Sequence, residues 1–181
     1  MTTEARLLNA IGGGHLRPFD VGRDLNPVAD LIEKCFADTL GLDGQQYIRQ
    51  MRAAAHNPRF LRWASSVSEY VMLPLTGFVW EENGRVVGNL SLIPFTTPGG
   101  KIYLLANVAV HPEFRRRGIA GRLIAESATF ARARFGLEIL VIVSEADSGA
   151  QRLYESLGFR VTEHQNGLSR WPERLLEDRV R

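Results

Sequence analysis

Cysteine occurs once in the 181 residues, at Cys35. A single thiol excludes an internal disulfide and a thiolate metal cluster. Placed in the apolar run of Leu31, Ile32 and Phe36, it reads as buried and inert. Lysine is almost as scarce, with only Lys34 and Lys101, and every other basic side chain is an arginine. No apolar run approaches the length needed to cross a bilayer as a helix. The beginning of the chain lacks the basic stretch and apolar core of a secretion signal, so a cytoplasmic protein is expected, with no membrane partner. Charge of one sign is also missing, because the formal net charge is +2. So small an excess gives no field for nucleic acid, and no nucleic-acid partner is expected. The four histidines, His15, His56, His111 and His164, show no metal-ligand spacing. His111 beside Pro112 reads as a surface residue. With no Ser-His-Asp order either, metal and covalent-nucleophile chemistries have no support.

What is present is a hydrophobic content of 45%, enough for a packed core in one domain. The chain is organised around Val108–Gly121, Val-Ala-Val-His-Pro-Glu-Phe-Arg-Arg-Arg-Gly-Ile-Ala-Gly. Leu104, Leu105, Val108 and Val110 make a strand that Pro112 ends. Ala120, Ile124, Ala128, Ala131 and Phe135 then recur with helical period. A helix N-terminus has unpaired N–H groups and a partial positive charge. Gly118 and Gly121 let an anion approach those amides, and Arg115, Arg116 and Arg117 add charge at the mouth. This is a site for phosphate, pyrophosphate above all.

Around it the chain alternates. Met1–Gly14 reads as a flexible arm ahead of a single domain, 15–181. His15–Phe19 is a short strand. A helix starts at Asn26-Pro27, with Asn26 as its cap and Val28, Leu31, Ile32, Cys35 and Phe36 as its apolar face. A second helix covers Gly44–Ala55. Arg59–Thr76 is aromatic and irregular. Gly77–Glu81 and Arg85–Pro94 are strands joined by Asn83-Gly84, a strong hairpin signal; Glu82 falls in that turn. Ile102–Val110 follows, then the long helix to Phe135. Leu137–Val143 is apolar throughout, so it is buried on both faces and parallel to a neighbour. Ser148–Leu157 is a helix and Phe159–His164 a strand. Leu168–Trp171 pairs back after Asn166-Gly167, and Pro172–Arg181 is a short charged helix or tail. The order is β-α-α-β-β-β-α-β-α-β.

Arg115-x-x-Gly118-x-Ala120 after a strand resembles the acetyl-CoA motif of the GNAT superfamily of N-acetyltransferases. Asp147 to Phe159, Asp-Ser-Gly-Ala-Gln-Arg-Leu-Tyr-Glu-Ser-Leu-Gly-Phe, resembles that superfamily's second motif, with Asp147 where Asn is usual. The resemblance covers roughly 77–159. It implies an α/β fold: a mixed, mostly antiparallel sheet, a splayed parallel strand pair and helices on both faces. It implies acetyl-CoA as cofactor and direct transfer of the acetyl group to an amine, on a small molecule or a peptide. Cofactor contacts would come from Val108, Val110, Arg115, Arg116, Arg117, Gly118, Ile119, Ala120, Gly121 and Asp147. Tyr154 occupies the position of the acid that protonates the leaving thiolate. The base is open: Asn107 stands where many members carry a carboxylate, and Glu145 is the favoured substitute. Trp63, Tyr70 and His164 are candidates for the acceptor wall. Dimers are common in the superfamily, so a homodimer is one expectation. The alternative class is a non-catalytic acyl-CoA sensor, for which Asn107 is the best support.

Overall fold

The computed structural model describes residues 13–57, 59, 76–97, 100–135, 139–144, 148–164 and 173–177. Trp63, Tyr70, Glu145, Asp147 and Leu168–Trp171 lie outside them, as does most of the N-terminal arm.

Strand β1 (Gly14–Pro18) leads into α1 (Val21–Cys35) and α2 (Leu42–Ala55). The helix expected at Asn26 begins a turn and a half earlier. Asp20 is the cap: its carboxylate accepts from Gly22 N at 2.9 Å. Buried Asp24 accepts from Asp20 N at 2.7 Å and from both ends of the Arg17 fork, at 2.6 and 2.8 Å. Pro27 therefore sits inside the helix, tolerated because this carboxylate lock holds the first turn, although one backbone bond is lost. Leu25, Val28, Ala29 and Ile32 form the buried stripe of α1; Ile48, Met51 and Ala54 form that of α2. They pack on Val79, Val86 and Ala109, on one face of the sheet.

β2 (Gly77–Glu82), β3 (Arg85–Thr97) and β4 (Gly100–Val110) form an antiparallel meander. Asn83 and Gly84 both take positive φ, 50° and 75°, as a two-residue hairpin turn requires. A 3₁₀ turn (Pro112–Phe114) and a loop lead to α3 (Ile119–Phe135). Its buried residues Ile119, Leu123, Ile124, Ala128 and Ala131 cover the other face, against Trp80, Val87, Leu90 and Leu105. Each fully buried Leu or Ile there contributes about 1.5–3 kcal/mol. Gly88 makes this close approach feasible. A methyl group there would lie 2.8 Å from Ile119 Cγ2 and 3.0 Å from Trp80 Cβ.

β5 (Ile139–Ser144) runs parallel to β4, pairing Tyr103–Leu105 with Ile139–Val141. Then come α4 (Ser148–Ser156), β6 (Arg160–His164) and β7 (Glu173–Glu177). The sheet order is β1-β2-β3-β4-β5-β7-β6. Within the expected helix or tail Pro172–Arg181, the described residues Glu173–Glu177 are instead a strand, antiparallel to β5 on one side and β6 on the other. Glu-Arg-Leu-Leu-Glu has helical propensity, and pairing on both edges overrides it.

Candidate active site

The site is built where β4 stops being regular. Asn89 pairs with Ala109 and Ser91 with Ala106, so Asn107 and Val108 together oppose Leu90. This is a β-bulge, with Asn107 at φ 52°. Asparagine is among the few non-glycine residues at ease there. Asn89, fully buried, donates through Nδ2 to the Asn107 carbonyl at 2.9 Å and to Ser91 Oγ at 3.3 Å. Asn107 Nδ2 donates to Tyr47 Oη at 2.9 Å and to Ser91 Oγ at 3.3 Å. A polar cluster from α2, β3 and β4 thus surrounds the bulge. Burial pushes the Tyr47 phenol up to about 12, against the opposing hydrogen bond from Asn107. Asn89 Oδ1 is buried without a hydrogen-bond partner among the described residues.

Beyond the bulge, Asn107–Val110 have no β5 partner among the described residues, because that ladder takes in only Tyr103–Leu105. Strand edges of this kind need other donors and acceptors. Val108 and Val110 are half-buried and rest on the α3-side core.

The loop after β4 is shaped by two left-handed residues, Arg116 at φ 62° and Gly118 at φ 74°. Such alternation turns successive N–H groups into one concavity. The first helical bond of α3 runs from Arg122 N to Gly118 O at 3.1 Å, so the N–H groups of Ile119, Ala120 and Gly121 have no helical carbonyl to reach. A side-chain carbon at Gly118 would meet nothing within 4 Å, and at Gly121 only Leu153 Cδ1 at 3.9 Å. The pocket therefore offers donors, positive potential and room, and its residues fit a pyrophosphate.

The three arginines divide their work. Arg115 Nε donates to Val110 O at 3.0 Å. Arg117 donates to Glu113 O at 3.1 Å, faces Glu82 Oε1 at 3.5 Å and lies 4.8 Å over the Phe114 ring. Both brace the loop. Arg116 is exposed and has no hydrogen-bond or ion-pair partner among the described residues. Glu82, expected in the turn, ends β2 instead and anchors Arg117.

Tyr154 lies on α4, 4% exposed, its ring edge-on to Phe159 at 5.4 Å between centroids. It belongs to the core cluster on which Val108 and Val110 rest. His164 falls in β6 opposite Arg174. His111 is a correction: it is 2% exposed, not on the surface. Its backbone carbonyl accepts from Phe114 N at 2.8 Å, opening the 3₁₀ turn, and its backbone N–H donates to Val87 O at 2.9 Å. Cys35 is half-buried, with its thiol donating to Val110 O at 3.3 Å, and burial pushes its pKa up.

Tyr47, Asn89 and Ser91 are the site residues that the sequence reading missed. Asn89 and Ser91 do carry a signal. They are two alternating polar residues in the otherwise apolar strand Val-Val-Gly-Asn-Leu-Ser-Leu-Ile. On a strand, that spacing puts both on one face.

A bulged strand, a loop that concentrates amides and a helix N-terminus define the class: an α/β protein whose geometry suits a phosphate-bearing ligand beside the bulge. The Acetyltransferase (GNAT) family model matches residues 44–159. The chain belongs to the GNAT acetyltransferase family, which uses acetyl-CoA. It is 30% identical over 148 residues to the mycothiol acetyltransferase of Thermobispora bispora, covering 81% of this chain and 46% of that protein. It is 32% identical over 90 residues to N-acetyltransferase 8 of Rattus norvegicus, covering 48% and 40%. The chain thus spans less than half the length of these curated relatives. In fold it is similar to PaiA N-acetyltransferase from Thermoplasma acidophilum, solved with coenzyme A. There the TM-score is 0.65 and identity 16%, over 92% of this chain and 99% of that one. YncA from Salmonella typhimurium, solved with acetyl-CoA, gives a TM-score of 0.62 at 20% identity, over 91% and 92%.

Proposed function

We propose that this chain is an acetyl-CoA-dependent N-acetyltransferase that moves the acetyl group directly to an amine of a small molecule or peptide. The observation that carries this is the continuity of bulge, Arg116–Gly118 concavity and α3 N-terminus along one segment of chain. Acetyl-CoA, when bound, supplies an acetyl group activated as a thioester. The amides of Arg116–Gly121 bind its pyrophosphate, with Arg116 as the uncommitted charge. The backbone of Val108 and the N–H of Val110, unpaired toward β5, take the amides of its pantetheine arm, in the gap where the parallel pair splays.

The acceptor approaches from the α2 side, where Tyr47, Asn107, Ser91 and Asn89 offer neutral hydrogen-bonding groups. Its nitrogen forms a bond to the acetyl carbon as the carbon–sulfur bond breaks. The amine loses its proton to a base, for which Glu145 is the candidate. Asn107 cannot serve as that base, since an amide accepts no proton at neutral pH; it orients the acceptor or a water. Tyr154 gives its hydroxyl proton to the departing sulfur. Acid–base help of this kind is worth about 10²–10⁴-fold. A cytoplasmic location and a homodimer are part of the same proposal and rest on sequence composition and family resemblance.

One observation favours a second reading, a cofactor sensor without turnover: the bulge carries an amide in place of a carboxylate. Calorimetric titration with acetyl-CoA, then a thiol-release assay over a panel of amines and peptides, separates the two. The enzyme reading expects binding and turnover on at least one class. It expects Tyr154→Phe to lose about 10²–10⁴-fold in turnover with cofactor affinity kept. Binding with no thiol release across the panel favours the sensor, and no binding at all overturns both.

A further inference from the structure

Between α1 and the β2–β3 hairpin lies a cleft of about 400 Å³ for which acetyl transfer has no use. Arg23, Asp30 and Lys34 of α1 form one wall, Arg85 of β3 the other, and His111 the floor. His111 is four residues beyond Asn107 on the β4 path, about 13 Å at 3.3 Å per residue. The cleft is therefore separate from the polar cluster at the bulge.

The charges around it are unevenly committed. Asp24 is held by Arg17, Asp30 by Arg52 at 2.6 Å, and Arg23 reaches Glu81. Lys34 and Arg85 have no carboxylate partner among the described residues, and both are exposed. Arg85 instead lays Nη2 at 2.8 Å from His111 Nε2. A guanidinium can only donate, so Nε2 accepts, the ring is neutral and its proton sits on Nδ1. Nδ1 itself lies 3.8 Å from Glu113 Oε2. Burial, together with the charges of Lys34, Arg85 and Arg115, holds this histidine below its usual pKa, with Glu113 opposing. Arg85 spends one donor on the ring and keeps the rest of its fork.

We propose that this cleft is a second ligand site, for a small molecule bearing an oxyanion, phosphate or carboxylate. Arg85 grips it through its fork and Lys34 by its point charge. Occupancy is felt at the cofactor loop, because the His111 carbonyl accepts from Phe114 N at 2.8 Å in the turn that opens it. Val110 O, one residue before, holds both Arg115 and Cys35.

The test is a titration of inorganic phosphate, and separately of citrate, followed by NMR of the histidine ring nitrogens. Ionic strength is held constant and saturating coenzyme A fills the phosphate loop. The expected result is a saturable shift of the His111 resonances. Lys34→Gln and Arg85→Gln should each weaken it at least tenfold, and Arg49→Gln should leave it unchanged. Saturation by phosphate alone or citrate alone assigns the anion. A shift that does not saturate, that persists undiminished in both variants, or that vanishes once coenzyme A is present overturns the proposal. If coenzyme A itself fails to bind, the acetyl-transfer reading falls. The same titration without it, read through the Lys34 and Arg85 variants, still decides the cleft.

Discussion

Gly88→Ala should weaken cofactor binding from a position that touches no cofactor. The added methyl group would stand 2.8 Å from Ile119 Cγ2, 3.0 Å from Trp80 Cβ and 3.2 Å from Leu123 Cδ1. The first two are atoms close to their backbones, so relief requires the N-terminus of α3 to move off the sheet. Overpacking of this size costs about 1–3 kcal/mol. Replacing glycine by alanine returns about 0.4–1 kcal/mol through the unfolded chain. The net loss, about 1–2 kcal/mol, lowers the melting temperature by about 2–8 °C in a protein of this length. Affinity falls further than stability implies, because Ile119 is the first residue of the helix whose amides are proposed to hold the pyrophosphate. Losing one charge-assisted hydrogen bond of about 1.5–3 kcal/mol is a tenfold or greater loss of coenzyme A affinity. Calorimetric titration beside a thermal melt measures both. A variant that binds coenzyme A as tightly as the parent would refute the coupling of α3 placement to the anion site.

Asp24→Ala should cost about 1–3 kcal/mol by chemical denaturation, since it removes two bonds of the Arg17 fork and the acceptor of Asp20 N, while Arg17 keeps Glu81 at 2.8 Å. An unchanged midpoint would show that the lock on α1 is dispensable. His111 has its pKa held down in the folded state, so the unfolded chain binds its proton first as pH falls. The stability it contributes is complete above the unfolded value near 6.5 and is lost on acidification below it. His111→Gln should flatten that part of a stability–pH curve, and an identical slope would exclude the histidine as its source. Tyr47, raised to about 12, should contribute an ionisation well above the usual tyrosine range in an ultraviolet titration. Tyr47→Phe should remove one phenol from that late step, and an unchanged late amplitude would assign it elsewhere.

The strand–loop–helix core of the site was legible because its signals are local. Pro112 stops a strand, Gly118 supplies a left-handed residue, and apolar positions from Ile124 to Ala131 keep helical period. What escaped depends on partners far along the chain. Asp20 outcompetes Asn26-Pro27 as a helix start because Asp24 meets Arg17 from β1. Glu173–Glu177 becomes a strand because two other strands pair with it. His111 sits beside a proline that suggests a surface turn, yet Arg85 and the hairpin close over it. Tyr47 was hidden on a helix of weak amphipathic pattern, and the β4 bulge, through Asn107, gives its hydroxyl a partner.

The position of β7 also sets an order of events during synthesis. β5 takes its parallel partner β4 from earlier in the chain, but its other edge waits for residues 173–177, made some thirty residues later. β6, already made, has no neighbour of its own until the same five residues arrive. Until then the strand beside the cofactor gap is an unpaired, apolar edge, open to any extended peptide nearby. The β5 side of the sheet is therefore completed last, and its pairing depends on a segment made some thirty residues after β5 itself.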